Sequence, residues 1–444
     1  MSSISRATRA ALGASVVALT MVVATACGPD NSDPAAAPTA GAPGGTTAAA
    51  TTAATTGATD KPGALPPIKL PTADELKKWN FDDWDKWAQQ NVVSPAVKGF
   101  WDLQKVLKAK PYKPGPGTPP TAQPTGAAPA QPTTQPPAQP TAQPTAQPTA
   151  AQPTSAAPAQ PGGSGGTGGG TGGTGGGSQN DPQPKLVEMK PLPHPFAKPA
   201  HVNGKLFFQD GKQDYVCSGT VVSDPANPGK SNLVWTASHC LHGGKGGKYH
   251  TNITFAPAFN SGGAVSAGKQ GTLADAEPYG EWGAVSGMVA PQWTAEADPE
   301  NGGPWSQYDF GILKVANPDG SAKSLEEVVG GSVPVWFNAP REQIASVSTY
   351  GYPAAKPFDG MELEHCEAGK PARRSMDASR PTMLMTGCNG SGGDSGGGWF
   401  TTKDGKQVLV SDTSIGGSDN TWEAGPYLDD VAQHALEYFS KKGK

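Results

Sequence analysis

Large apolar residues change their spacing along this chain, and each change predicts a different kind of element. Near the start, Arg6 and Arg9 precede an apolar stretch from Ala10 to Ala26. It is too short and too rich in Ala and Thr for a spanning helix and reads as an export signal. Between residues 67 and 112 the spacing is helical. Thr72-Ala73-Asp74-Glu75 has the reciprocal capping pattern of a helix start and opens a segment carrying Leu76, Trp79, Phe81, Trp84 and Trp87. Ser94-Pro95 predicts a second helix, with Val97, Phe100, Trp101, Leu103, Val106 and Leu107 on its apolar face up to Lys110-Pro111. From about residue 183 the apolar runs become short and β-branched or aromatic: Lys205-Leu206-Phe207-Phe208, Tyr215-Val216, Val234-Trp235 and Val408-Leu409-Val410, with Gly, Pro, Asn and Asp between them. These predict strands. Helical spacing returns with Leu428, Val431, Ala432, Ala435, Leu436 and Phe439, flanked by Asp429 and Asp430 in front and Lys441 and Lys442 behind, both favourable to the helix dipole.

The stretches between these elements have no core-forming residues. The chain's 59 Gly and 46 Pro concentrate there. Residues 28–66, mostly Ala, Thr, Pro and Gly, are expected to be disordered because they cannot bury enough surface to offset ordering. Residues 113–182 repeat Ala-Gln-Pro-Thr units and end in Gly, Ser and Thr, predicting an extended spacer and a flexible joint. At ~3.1 Å per residue the proline-rich part spans on the order of 150 Å, the length of a tether through a cell wall. The expected organisation is an export signal (1–27), a disordered stretch (28–66), a Trp-rich helical segment (67–112), a linker (113–182) and an all-β domain (183–444). A net charge of -4, a pI near 6.0 and the lack of any Lys/Arg block exclude a nucleic-acid partner.

Cysteines refine the picture. Ala24-Thr25-Ala26-Cys27 fits an ordinary signal-peptidase cut or a loose lipobox in which Cys27 is lipidated, and both leave Cys27 first. The lipobox is preferred because five cysteines leave one odd, which a lipid thioether would occupy; Ala24, however, stands where Leu is usual. The chain is therefore expected outside the cell, secreted or anchored at the outer membrane face. There Cys217, Cys240, Cys366 and Cys388 can form two disulfides, in any of three pairings.

The most specific string is Asn389-Gly390-Ser391-Gly392-Gly393-Asp394-Ser395-Gly396-Gly397. A serine hydroxyl is a weak nucleophile that needs a base and donors aimed at the developing oxyanion. Glycines around Ser395 let backbone N–H groups approach that oxygen. His239, at the end of the apolar run Leu233 to Thr236, is the candidate base. Asp309, just before the apolar run Phe310 to Val315, is the candidate carboxylate that orients it. Each has a plain alternative: a Gly/Ser loop, a structural histidine, and a turn aspartate like Asp298 or Asp319. No two histidines have zinc-protease spacing, and Gly243 to Lys248 lacks the Lys-Ser/Thr of a phosphate loop.

In these residues the chain resembles the chymotrypsin/trypsin-like peptidases, particularly their secreted actinobacterial members. Thr236-Ala237-Ser238-His239-Cys240 matches the histidine motif, Asp309-Phe310-Gly311-Ile312-Leu313 the aspartate motif, and Gly393-Asp394-Ser395-Gly396-Gly397 the serine motif, in the family's order. Cys217-Ser218-Gly219-Thr220 and Gly351-Tyr352-Pro353 extend the likeness, which covers about residues 200–430. The resemblance implies two six-stranded β-barrels followed by a C-terminal helix, and a site in the cleft between the barrels. It also implies disulfides Cys217–Cys240 and Cys366–Cys388, an oxyanion hole from Gly393 and Ser395, a polypeptide substrate, and no cofactor or metal. Asn389, six residues before the serine, falls at the base of the specificity pocket where trypsin-like members carry Asp, so preference for basic residues is not expected. Ser414 and Gly416 lie in a run resembling the substrate-pairing strand. The contrasting expectation is an inactive protease-like module that binds at the cell surface, against which the full set of triad candidates counts. The aromatics of residues 67–112 are too many for two short helices to bury and need a partner: the peptidase barrels, a cell-surface protein or the membrane interface. Docking on the peptidase as a pro-segment or regulatory arm is the preferred expectation.

Overall fold

The computed structural model describes residues 73–76, 78–90, 92–112, 180–299 and 301–442, all in the unit Pro67–Lys444. The expected export signal, Cys27, residues 28–66 and linker residues 113–179 lie outside the described residues. Among the described residues no helix is long and apolar enough to cross a membrane.

The N-terminal aromatic segment forms α1 (Ala73–Leu76), α2 (Phe81–Gln90), α3 (Leu103–Lys108) and a two-residue strand, β1 (Lys110–Pro111). Asn80 starts α2: its Oδ1 accepts from the N–H groups of Asp82 and Asp83, and the Asp83 carboxylate accepts from the Asn80 N–H in return. A helix beginning at Ser94-Pro95 does not form. The N–H groups of Ala96 and Val97, which would start it, go instead to the Ala284 carbonyl and Asn252 Oδ1 at 3.2 Å each. Gly99, at φ +68°, then turns the chain, and Asp102 caps α3 by accepting from the Lys105 N–H.

The following strands are β2 (Lys190–Pro191), β3 (Asn203–Asp210), β4 (Gln213–Val222), β5 (Leu233–Thr236), β6 (Thr251–Pro257), β7 (Trp282–Val289) and β8 (Gly311–Ala316), with α4 (Leu273–Ala276), α5 (Pro291–Glu296) and α6 (Leu325–Val329) between or after them. β4, β3, β6, β7, β8 and β5 pair in that order, and β5 pairs back onto β4, closing a six-stranded barrel. Leu206, Phe208, Val221, Val234, Phe255 and Ile312 are buried in its core.

The second half contains β9 (Val347–Gly351), β10 (Glu364–Ala368), β11 (Ala372–Arg374), β12 (Met383–Thr386), β13 (Gly398–Lys403), β14 (Lys406–Asp412), β15 (Ile415–Gly416) and β16 (Glu423–Gly425). Its ladders form two sheets, β14-β13-β9-β10-β2 and β11-β12-β16-β15. Asp181 anchors the entry to this half with ion pairs to Arg341 (2.6 Å) and Arg373 (2.8 Å). The chain ends in α7 (Asp430–Lys441), capped by Asp429, and the apolar face read from sequence is buried against the first barrel's core.

The N-terminal segment runs around this body. Trp84, 1% exposed, stacks on Tyr438 of α7, and the Tyr438 hydroxyl donates to Asp85 at 2.7 Å. Val93 packs where a side chain on Gly287 would otherwise sit. The Trp101 indole N–H donates to the Asn252 carbonyl at 3.0 Å, with its ring 5.5 Å from Phe207. β1 then pairs in parallel with β4, Lys110 opposite Tyr215 and Pro111 opposite Val216.

Candidate active site

Strand pairing brings His239 and Asp309 together. Thr236 at the end of β5 lies opposite Gly311 at the start of β8, so the residues just beyond these ends share one rim of the barrel. His239 sits in a single helical turn, Ser238–Cys240, and the Ser238 hydroxyl donates to the Phe310 carbonyl, fastening that turn to the aspartate's strand. His239 Nδ1 is 2.6 Å from Asp309 Oδ2, and the His239 backbone N–H donates to Oδ1 at 2.9 Å. Both residues are 0% exposed. An orienting carboxylate held at both oxygens fixes the ring plane and leaves Nε2 as the outward atom.

A third donor to Asp309 was not evident from the sequence. The Ser414 hydroxyl donates to Asp309 Oδ2 at 2.6 Å, and the Ser414 N–H donates to the Ala424 carbonyl, so this residue serves the acidic end of the site. Gly416 lies in the β15–β16 ladder opposite Glu423. Asp412 is wholly buried and accepts from the Trp235 indole N–H at 2.9 Å. Burial, with the nearby Asp309 charge, pushes its carboxyl well above the usual carboxylate range.

Ser395 lies in a turn clamped to the strand leading to Ser414: the Gly396 N–H donates to the Thr413 carbonyl at 2.7 Å and the Thr413 N–H to the Gly397 carbonyl at 2.9 Å. Glycine is required here. Gly393 has φ +108°, and Gly396 has φ +79° with the Thr236 hydroxyl 2.1 Å from where a Cβ would sit. The Ser395 carbonyl accepts from the Ser218 N–H at 2.8 Å and lies 3.6 Å from Cys240 Sγ, which joins the serine turn to the Cys217–Cys240 disulfide and thus to the residue after His239. The second disulfide is Cys366–Cys388.

The Ser395 hydroxyl donates to the carbonyl of Tyr112 at 3.1 Å, and the Gly393 N–H donates to the same oxygen at 3.3 Å. His239 Nε2 is buried and has no hydrogen-bond partner among the described residues. The Oδ1 of Asn389 accepts from the Met189 N–H at 2.6 Å, tying the serine loop to the residue before β2. Arg373 pairs with Asp181, and Arg374 lies 4.1 Å over the Trp422 ring.

Two further histidines flank the site. His250 stacks on Phe208 at 4.6 Å and contacts the His239 carbonyl through Nε2 at 3.1 Å. Burial pushes both His250 and His242 down to about 4, leaving them neutral at pH 7. Among the described residues, the cluster of metal-capable side chains at this site is Cys217, His239 and Cys240, whose sulfurs are bonded to each other and offer no thiolate. A cavity of about 880 Å³ lies beside Tyr308 and Arg380; His239, Gly393 and Ser395 do not line it.

A closed six-stranded barrel, a mostly β second half and a terminal helix make the fold chymotrypsin-like. Among solved structures, the chain is similar to a thermostable serine protease from an extremophilic microorganism, at 29% identity and TM-score 0.44 over 55% of this chain and 99% of that one. It is also similar to the protease Anisep from Arthrobacter nicotinovorans, at 33% identity and TM-score 0.43 over 55% and 98%. A Glu endopeptidase matches at 16% identity and TM-score 0.41 over 59% and 98%. All three neighbours are proteases. No protein-family model and no curated protein matches the chain.

Proposed function

We propose that this protein is an exported serine endopeptidase that cleaves polypeptides through an acyl-enzyme on Ser395. The observation that carries the proposal is the convergence of the Ser395 hydroxyl and the Gly393 N–H on one peptide carbonyl oxygen, beside an imidazole held by Asp309. A scissile carbonyl in that place would meet both a nucleophile and an oxyanion donor. Ser395 Oγ bonds to the carbonyl carbon while its proton passes to His239 Nε2, and the negative oxygen is held by the Gly393 N–H. As the C–N bond breaks, His239 returns that proton to the leaving nitrogen. Water then attacks the ester carbonyl as its proton passes to His239 Nε2; the bond from the acyl carbon to Ser395 Oγ breaks, His239 gives that proton to Oγ, and the carboxylic acid leaves.

Two buried disulfides support an oxidising compartment, and with the N-terminal sequence they favour export. Lipidation at Cys27 with the long linker would tether the enzyme to the outer membrane face. In the same reading residues 67–112 dock on the peptidase domain, supported by the buried Trp84, Val93 and Trp101.

The test is prolonged exposure of the full chain to a fluorophosphonate, with the adduct mapped by mass spectrometry and casein hydrolysis followed in parallel. Ser395 should carry the adduct, and Ser395→Ala should lose both labelling and roughly four to six orders of magnitude in turnover. Labelling of a different serine, or casein cleavage surviving in Ser395→Ala, would refute Ser395 as the nucleophile, and no labelling with no cleavage in wild type would return the protein to the surface-binding reading.

A further inference from the structure

We infer that residues 110–112 are a built-in inhibitor of this site, with the Tyr112 carbonyl held by the oxyanion donor and its ring in an aromatic pocket beside His239. The inference rests on Ser395 and His239 being the catalytic pair, as proposed above.

The backbone of this segment is held on both sides. Lys110 and Pro111 pair in parallel with Tyr215 and Val216, and the Tyr112 N–H donates to the Val216 carbonyl at 3.3 Å. The Tyr112 carbonyl then accepts from Ser395 Oγ and the Gly393 N–H. The side chain is held as specifically. Phe208, Tyr215 and His250 already form a stack of their own, with Phe208 5.7 Å from Tyr215 and 4.6 Å from His250. The Tyr112 ring meets Tyr215 edge-on at 5.0 Å and lies nearly parallel to His239 at 5.5 Å. Such a pocket fits an aromatic side chain and little else.

The consequence for catalysis is direct. The hydroxyl proton that must reach His239 Nε2 points instead at the Tyr112 oxygen, and Nε2 is sealed from solvent with no partner among the described residues. Substrate cannot use an oxyanion donor that is already engaged. The strand is not cut in turn, because Ser395 is hydrogen-bonded to the carbonyl oxygen and its proton is not being withdrawn by the base. Anchors along the same segment, at Trp84, Val93, Trp101 and Val106, keep the strand at a high local concentration, on the order of mM for a short tether. The protein is therefore latent until the strand lifts.

The test uses the full chain and compares fluorophosphonate labelling rates of wild type, Tyr112→Gly, Tyr112→Phe and Ser395→Ala. Tyr112→Gly should label roughly tenfold faster or more, since it loses an aromatic anchor at the centre of the contact, and Tyr112→Phe should stay slow. Equal rates for wild type and Tyr112→Gly would overturn the inference while leaving the peptidase intact. Failure of every form to label at Ser395 would instead remove the peptidase reading beneath it. Hydrogen exchange supplies a readout within the wild-type chain. The Tyr112 amide should be protected before reaction and exposed once a phosphonyl group on Ser395 takes the oxyanion site; protection that survives phosphonylation overturns the inference. The Tyr112–Lys113 bond should also remain intact in the purified chain, and its cleavage at the rate of casein hydrolysis would make the strand a substrate.

Discussion

Asp309→Asn tests the site's hydrogen-bond logic most sharply, because only one amide orientation can be accommodated. Oδ1 accepts from the rigid His239 backbone N–H at 2.9 Å, whereas Oδ2 accepts from His239 Nδ1 and the Ser414 hydroxyl, each at 2.6 Å. An amide nitrogen at the first position would face an N–H that cannot turn away. At the second, the Ser414 hydroxyl can rotate to accept, and the imidazole can shift its proton from Nδ1 to Nε2. The variant should therefore keep its fold and lose its base, since a protonated Nε2 cannot take the Ser395 proton. The expected loss is about 10⁴ in kcat, or about 5.5 kcal/mol of transition-state stabilisation. Asp412→Asn is the control, also wholly buried and isosteric. Burial, and then the neighbouring Asp309 charge, raise its carboxyl well above the usual carboxylate range and favour the neutral form, so a neutral amide should leave kcat within roughly threefold. Both are to be measured with a peptide substrate at pH 7.5, in chains also carrying Tyr112→Gly so that the site is open, with thermal melts to verify folding. Retention of more than a tenth of the activity in Asp309→Asn, with the melt unchanged, would refute the tautomer argument. So would a loss in Asp412→Asn equal to that in Asp309→Asn.

Two further predictions concern stability. Glu277 has its Oε1 buried without a hydrogen-bond partner among the described residues, and burial, then repulsion from Glu281, raises it from 4.5 to about 8. Because the folded value is raised, the stability tied to its protonated form is complete below pH 4.5 and is lost as pH rises through 8. Glu277→Gln should therefore melt higher than wild type at pH 8, by on the order of 1–3 kcal/mol, with the gap closing toward pH 4.5; a gap independent of pH would refute this. The Cys217–Cys240 bridge closes a sequence separation of 23 residues, so the double serine variant should lose about 3 kcal/mol by denaturant titration. It should lose activity as well, since Cys240 adjoins His239 and its sulfur lies against the Ser395 carbonyl; full activity in the folded variant would contradict that coupling.

The parts of this site legible in the sequence are those encoded locally. A serine between glycines, a histidine at a strand end and an aspartate before a strand each carry their own short signature. The C-terminal helix was legible for the same reason, since its buried face repeats at helical spacing. Ser414 was read as part of a substrate-pairing strand because a dipeptide beside Ile415 reveals only extended backbone; that its hydroxyl reaches Asp309 depends on a contact 105 residues away. Counting from the serine places Asn389 at a pocket base but does not reveal that its amide oxygen holds the Met189 N–H, 200 residues earlier. The misplaced helix start at Ser94-Pro95 has the same origin. Its capping residues are sound, but the N–H groups they would have organised bind barrel residues that no local pattern reveals. For Tyr112 the sequence held one weak signal: an aromatic between Pro111 and Pro114, where proline forbids helix and favours an extended strand.

Strand β4 explains how one segment can close the site without distorting it. Tyr215 and Val216 receive β1, and Cys217 carries the bridge to the histidine turn. The next residue, Ser218, donates its N–H to the Ser395 carbonyl and its hydroxyl to the Gly393 carbonyl at 2.9 Å, while that hydroxyl accepts from the Tyr352 N–H at 2.8 Å. The bonds that aim the Gly393 N–H and the Ser395 hydroxyl therefore come from residue 218, and those that hold the inhibitory strand come from 215 and 216. Lifting the strand breaks the latter together with the two bonds to the Tyr112 carbonyl, and leaves those of Ser218 intact. The Gly393 N–H and the Ser395 hydroxyl then stay in position, and in the proposed reaction the Ser395 proton is free to turn from the Tyr112 oxygen toward His239 Nε2.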